Sequence, residues 1–130
     1  MENLKVGLKH TLAWTVEEKH CTSRGGEFRV FSTPSMVLLM ELAAADLIKP
    51  HLATNQNSVG TVVHLKHLAP TPLGHPVRAE VELVAIDRRR LMFKATIFDD
   101  VEQVGEGEHE RFIVDLDRYD ERLRKKAGAA

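Results

Sequence analysis

The chain carries a single cysteine, Cys21, so it has no internal disulfide and no disulfide framework to hold a small fold together. Proline and glycine are scarce, at five and eight of 130 residues, and no repeat or low-complexity block interrupts the chain before its last dozen residues. Charge of one sign is also missing. Eighteen Lys and Arg stand against nineteen Asp and Glu, for a formal net charge of -1, so no global field draws in nucleic acid or an anionic membrane. No apolar run approaches the roughly 20 residues that span a bilayer. The opening stretch MENLKVGLKHTLAW lacks the unbroken apolar core of a signal peptide. A cytoplasmic protein with neither nucleic-acid nor membrane partners is the expectation these absences set.

What is present fits one globular domain. The composition is 43% hydrophobic and 28% charged, and 130 residues bury one core rather than two. The stretch LKHTLAWTV within residues 1–16 is rich in β-formers, and residues 17–31, with paired glycines, read as a loop. STPSMVLLMELAAADLIKP, residues 32–50, reads as a helix with Thr33 as N-cap, Pro34 in the first helical position and Pro50 at the far end. HLATNQNSVG reads as a polar loop. After Gly60 the period becomes two.

In TVVHLKHL, Thr61, Val63, Leu65 and His67 share one face, opposite Val62, His64, Lys66 and Leu68. Val77, Ala79, Val81, Leu83 and Ala85 alternate in the next strand, and Leu91, Phe93, Ala95 and Ile97 in the one after. A turn near Asp99 and Asp100 leads into a last long strand, EQVGEGEHERFIVDLD. Residues 119–130 form a charged tail expected to fray, behind a single domain of residues 1–118. One strand, one buried helix and about four consecutive strands predict an α+β fold with an antiparallel sheet. The helix is apolar nearly all round, so its burial demands a sheet that wraps it or a second subunit.

Glu41 sits within that helix, and its neighbours three and four residues away, Val37, Leu38, Ala44 and Ala45, offer no counter-charge. An unpaired buried carboxylate costs several kcal/mol. Glu41 therefore needs water, a partner from another element, or a raised pKa. The competing reading is a carboxylate that reaches a solvent edge or makes a structural hydrogen bond across a dimer contact. His67 shares the face of Val63 and Leu65 and so points at the helix, whereas His64 points away. Residues three apart on a strand face opposite sides, so HLKH cannot converge on one metal ion.

Thr33 is either a cap or a hydroxyl placed where free helix N–H groups favour developing negative charge. Eight residues, about 12 Å of helical rise, separate it from Glu41. Weaker candidates are a Cys21–His20 thiol pair, the run DRRR at 87–90 as a phosphate holder, and Gly60 as either a loop-to-strand joint or a close approach of backbone to ligand. Arg111 shares strand parity with Gly105, Gly107 and His109, and is either a salt-bridge partner or an anion-binding group.

These residues resemble the fluoroacetyl-CoA thioesterase family of the hotdog superfamily, over roughly residues 4–118. The likeness is densest in VFSTPSMVLLMEL, SVGTVVHLKHLAPTPLG and GEGEHERFIVDL. The family's pattern is a Thr at the helix start, a Glu eight residues on, and a His seven residues after a Gly. Thr33, Glu41, Gly60 and His67 reproduce those spacings, and Arg111 matches a substrate-contacting Arg in a His-Glu-Arg run.

The resemblance implies a hotdog homodimer, with a dimer of dimers as a further option, and sites at or near the subunit interface. It implies an acyl-CoA thioesterase with Thr33, Glu41 and His67 catalytic and Gly60 and Arg111 binding substrate. CoA would enter as part of the substrate, with no bound cofactor or metal. Arg24 and Glu27 stand where the fluoroacetate-selective member has two aromatic lid residues, and Pro34 and Ser35 where it has a Gly and an aromatic. These departures point to short-chain or aryl acyl groups. The rival functions are a hotdog dehydratase acting on hydroxyacyl thioesters and a non-catalytic acyl-CoA-binding module.

Overall fold

The computed structural model describes residues 3–128. Among these described residues, seven strands and two α-helices follow in the order β1 (Lys9–Thr15), β2 (Cys21–Ser23), β3 (Arg29–Phe31), α1 (Thr33–Ile48), β4 (Gln56–His67), β5 (Pro76–Asp87), β6 (Arg90–Asp99), β7 (Gln103–Asp115) and α2 (Leu116–Lys126). Five strands form one sheet in the order β1-β5-β6-β7-β4, with every neighbouring pair antiparallel.

Alternation dictates which side faces in. Leu91, Phe93, Ala95 and Ile97 of β6 are all buried, as are Val77, Ala79, Val81 and Leu83 of β5. The other face is charged. Lys94 lies between Glu82 and Glu108, and Lys66 stands opposite Glu106, pairings that favour an antiparallel ladder.

α1 lies across the inner face and touches all five strands. Met36, Leu39, Met40, Ala43, Ala44, Leu47 and Ile48 form its buried side. Two glycines on β7 let it come close. A Cβ on Gly105 would sit 2.6 Å from Met36 Sδ, and one on Gly107 would sit 2.6 Å from the His64 carbonyl oxygen and 3.1 Å from Met40 Sδ. The space these glycines leave is taken by methionines of α1 and, at Gly107, by the backbone of β4. The wrap is incomplete, since Leu38 and Leu42 keep 48% and 40% of their surface exposed.

Several local features differ from what the sequence suggested. Ser32, not Thr33, is the N-cap: its Oγ accepts from the Ser35 amide at 3.2 Å. Thr33 and Pro34 thus occupy the first two helical positions, and the Thr33 hydroxyl is released from capping. β4 begins at Gln56, so Gly60 lies inside a strand rather than at its entrance, and a bulge follows it between Gly60 and Val62. A second bulge between Leu83 and Ala85 breaks the β5 alternation, so that Ile86 packs on the core where Ala85 was expected.

The expected loop at 17–31 contains a 3-10 turn and a short β2–β3 ribbon, too brief to show a period. The expected charged tail is helical through Lys126, and its last two residues, 129–130, lie outside the described residues. Residues from Leu116 form α2, tied to Asn55 by the Leu116 amide (2.8 Å) and the Asp117 carboxylate (3.1 Å). Glu121 pairs with Arg124 and Lys125, and the basic last turn suits the negative helix end. Among the described residues no helix is long and apolar enough to cross a membrane.

Gly107→Ala drives a methyl into backbone and is expected to cost about 1–3 kcal/mol in denaturant unfolding. Gly26→Ala, which meets open space, should leave the midpoint unchanged.

Candidate active site

Arg111 of β7 projects to the helix side of the sheet with only 10% of its side chain exposed. Its donors are assigned in turn: Nε to Ser58 Oγ at 2.8 Å, Nη2 to the Ser58 carbonyl at 2.9 Å, and Nη1 to His109 Nε2 at 3.2 Å. A carbonyl only accepts, so the 2.8 Å contact between His109 Nδ1 and the Val62 carbonyl places the ring proton on Nδ1. Nε2 is then free to accept from Arg111. The same Nη1 lies 3.7 Å from Glu41 Oε2.

The helix carboxylate therefore finds its counter-charge on a strand, and is about a third exposed rather than sealed in a dry interior. Gly60 makes the approach possible. A Cβ there would stand 2.6 Å from Glu41 Oε2, 3.2 Å from His109 Cε1 and 3.5 Å from Arg111 Nη1.

A second group forms at the start of α1. Thr33 Oγ1 and His67 Nδ1 are 2.8 Å apart, bringing together two residues separated by 34 positions in sequence. Burial pushes the His67 pKa below its ordinary value, with a backbone hydrogen bond at Ala69 acting in the opposite sense, so the imidazole is neutral at neutral pH. A neutral ring protonated on Nε2 accepts the Thr33 hydroxyl proton at Nδ1, the contact of a nucleophile with its base. Pro34 has no N–H and the Ser35 amide is taken by Ser32. Thr33 N–H is thus the first-turn donor left open among the described residues.

The structure therefore groups Thr33 with His67, and Glu41 with Gly60 and Arg111. No hydrogen bond or ion pair joins the two groups within one chain among the described residues. Ser58 and His109 were not picked out from sequence as functional. Both hold Arg111, and His109 shares the parity of Gly105, Gly107 and Arg111, a signal that could have found it.

Other candidates fall away from these groups. His20 accepts from the Glu17 amide at 3.0 Å and stacks on Trp14, while burial and then Glu18 push the Cys21 thiol up, so the pair makes no thiolate nucleophile. His64 is exposed on the charged face, opposite His67. Among the described residues no three His, Cys, Asp or Glu converge as metal ligands. Arg24 and Glu27 are exposed in the β2–β3 connection.

A long helix laid across a curved antiparallel sheet, with a hydroxyl–imidazole pair and an anchored carboxylate on the helix side, places the molecule among the hotdog thioesterases. The family described as FlK, fluoroacetyl-CoA-specific thioesterase, matches residues 15–117, and the chain belongs to that family. It is 32% identical over 136 residues to the fluoroacetyl-CoA thioesterase of Streptantibioticus cattleyicolor, covering 98% of each chain. A solved structure of the fluoroacetyl-CoA thioesterase FlK superposes with a TM-score of 0.87 at 31% identity, covering 96% of this chain and 98% of that one. A hot-dog-like protein from Thermanaerovibrio acidaminovorans shares the fold at 23% identity, with a TM-score of 0.86 over 93% of this chain and 91% of that one.

His67 and His109 both have pKa values lowered first by burial; for His109, Arg111 adds to this and the Val62 carbonyl opposes it. The unfolded chain binds protons at the ordinary value of 6.5 while the folded chain resists them, so the unfolded state gains protons first as pH falls. Stability is expected to be complete above pH 6.5 and to decline below it, seen as a falling Tm. A His109→Gln variant should show a shallower decline.

Proposed function

We propose that the protein hydrolyses a short-chain or aryl acyl-CoA thioester to free acid and CoA, at a site completed by a second copy of the chain. The observation that carries this is the 2.8 Å Thr33–His67 contact beside an open helix N–H. His67 Nδ1 takes the Thr33 hydroxyl proton as Oγ1 attacks the thioester carbonyl carbon. The carbonyl oxygen, gaining negative charge, accepts from the Thr33 amide at the positive end of α1. The C–S bond then breaks, the imidazolium gives its proton to the CoA sulfur, and an acyl ester remains on Thr33. Water, losing a proton to the same imidazole, attacks that ester; the acyl C–Oγ1 bond breaks, the imidazolium returns the proton to Thr33 Oγ1, and the acid leaves. CoA enters only as substrate, and the chemistry calls for no metal or resident cofactor.

Glu41 is too far along α1 to serve the Thr33 of its own chain, about 12 Å of rise away. A homodimer resolves this. β4 ends the sheet with its outer edge unpaired among the described residues, and Val62 and Val63 on it are each 47% exposed. A second β4 added antiparallel about Val62 and Val63 continues the sheet. It sets His67 level with Ser58 of the partner subunit, two residues from the partner's Gly60. The partner's Glu41, held by its own Arg111, then orients the imidazole and stabilises its protonated form. The lone thiol and a CoA-linked substrate suit the cytoplasm.

The activity is tested with acetyl-, propionyl- and phenylacetyl-CoA and a thiol reagent. Thiol release is expected; enoyl product without thiol would mean a dehydratase, and saturable binding without turnover a binding module. Glu41→Gln should lower kcat by about 10²-fold or more while the dimer persists and still binds CoA. The acid limb of kcat/KM should lie below pH 6.5, because His67 titrates below its ordinary value.

Subunit sharing has its own test. Mixing Thr33→Ala with Glu41→Gln chains and allowing exchange should restore about a quarter of wild-type activity, since half the dimers then hold one intact site. A site confined to one chain predicts none.

A further inference from the structure

At the end of the sheet beyond Arg111, two grooves of about 560 and 450 Å³ adjoin, sharing Arg89 and Phe112. Arg88 lines the first groove, and Arg118, Tyr119 and Arg122 of α2 line the second. Phe112 presents 41% of its surface there. Two local costs converge on this place.

Arg88, at the β5–β6 turn, has φ 58, a left-handed backbone that favours Gly, Asn or Asp over a long side chain. Arg118 and Arg122 stand one turn apart on α2, a like-charge spacing that weakens a helix. Charge pairing does not account for the cluster either. Arg89 and Arg90 reach Asp115 and Glu110, but Arg118 and Arg122 form no ion pair among the described residues, and the Arg88 side chain, paired only with neighbouring Asp87, stays 90% exposed. Among the described residues Arg88 is answered only by the adjacent Asp87, and Arg118 only by the nearby charge of Asp117, which leaves donors beside an exposed ring that suit a ligand with phosphates and an aromatic base.

The groove is within reach of the chemistry. Leu91 pairs with Arg111, so Arg89 is two residues further along the chain, about 7 Å. We propose that this groove binds the adenosine 3′-phosphate 5′-diphosphate end of the CoA substrate, with phosphates on Arg88, Arg118 and Arg122 and the base against Phe112. The proposal rests on the acyl-CoA activity above and adds how its leaving group is recognised. In the proposed dimer the pantetheine arm runs from the thioester at Thr33 past the Glu41–Arg111 pair of the partner subunit and over the end of that subunit's sheet.

The test compares acetyl-CoA with acetyl-pantetheine, which lacks the nucleotide, in wild type, Arg88→Gly and Arg118→Ala/Arg122→Ala. Each variant should raise KM for acetyl-CoA about tenfold with kcat kept, and leave both constants for acetyl-pantetheine unchanged. Arg88→Gly should also match or exceed the wild-type Tm, because glycine accepts the left-handed backbone. Calorimetric titration with adenosine 3′,5′-bisphosphate reads the groove without turnover. Wild type should bind it, and the double variant should bind about tenfold more weakly or worse. Unchanged KM for acetyl-CoA, equal changes for both substrates, or equal binding of the bisphosphate by all three proteins would overturn the proposal. Absence of thiol release from either substrate in wild type, with bisphosphate binding intact, would instead overturn the thioesterase reading and leave the groove standing.

Discussion

A buried guanidinium must be matched, and much of the site follows from how Arg111 is matched. Ser58 takes two of its donors and His109 a third, which fixes both the direction of the fork and the tautomer of the imidazole. The charge itself is answered from the helix, by Glu41 at 3.7 Å. Removing one member of such a pair leaves the other with an uncompensated desolvation cost. Gly60 belongs to the same constraint, because a Cβ there would crowd the carboxylate oxygen at 2.6 Å and force Glu41 to shift.

The packing of α1 links this anchor to the second group. Gly105 and Gly107 let Met36 and Met40 settle onto β7, which fixes the helix relative to the sheet. With Ser32 taking the cap, the Thr33 hydroxyl is free at the point where β4 delivers His67. The single chain thus holds two polar groups at different heights along one helix, next to a sheet edge that carries exposed valines. Leu38 and Leu42 on α1 are exposed as well.

Much of this was legible in the sequence because period two survives in strands with one buried face. β6 alternates without interruption, and the helix-side placement of His67 followed from the same rule. The misplacements have local physical causes. A bulge at Leu83–Ala85 shifted the end of β5, and one after Gly60 bent β4 inside what read as a loop boundary. Ser32 and Thr33 are both competent caps, and only the Ser35 amide decides between them. The α2 helix was hidden because none of its residues is fully buried, and a side-chain support comes from Asn55, 62 residues before Asp117. The partner of Glu41 was likewise invisible to helical spacing, being on another element. Spacing matched to a family identified Arg111, but the hydrogen bonds that hold it needed coordinates.

The central claim is that the Arg111 fork, and not merely a positive charge, holds Glu41 in its working position. Arg111→Lys tests it most directly, since lysine keeps the charge but cannot reach Ser58, His109 and Glu41 together. In a thiol-release assay the variant should remain folded and lose about 10²-fold in kcat. A folded Arg111→Lys protein with wild-type turnover would contradict the account.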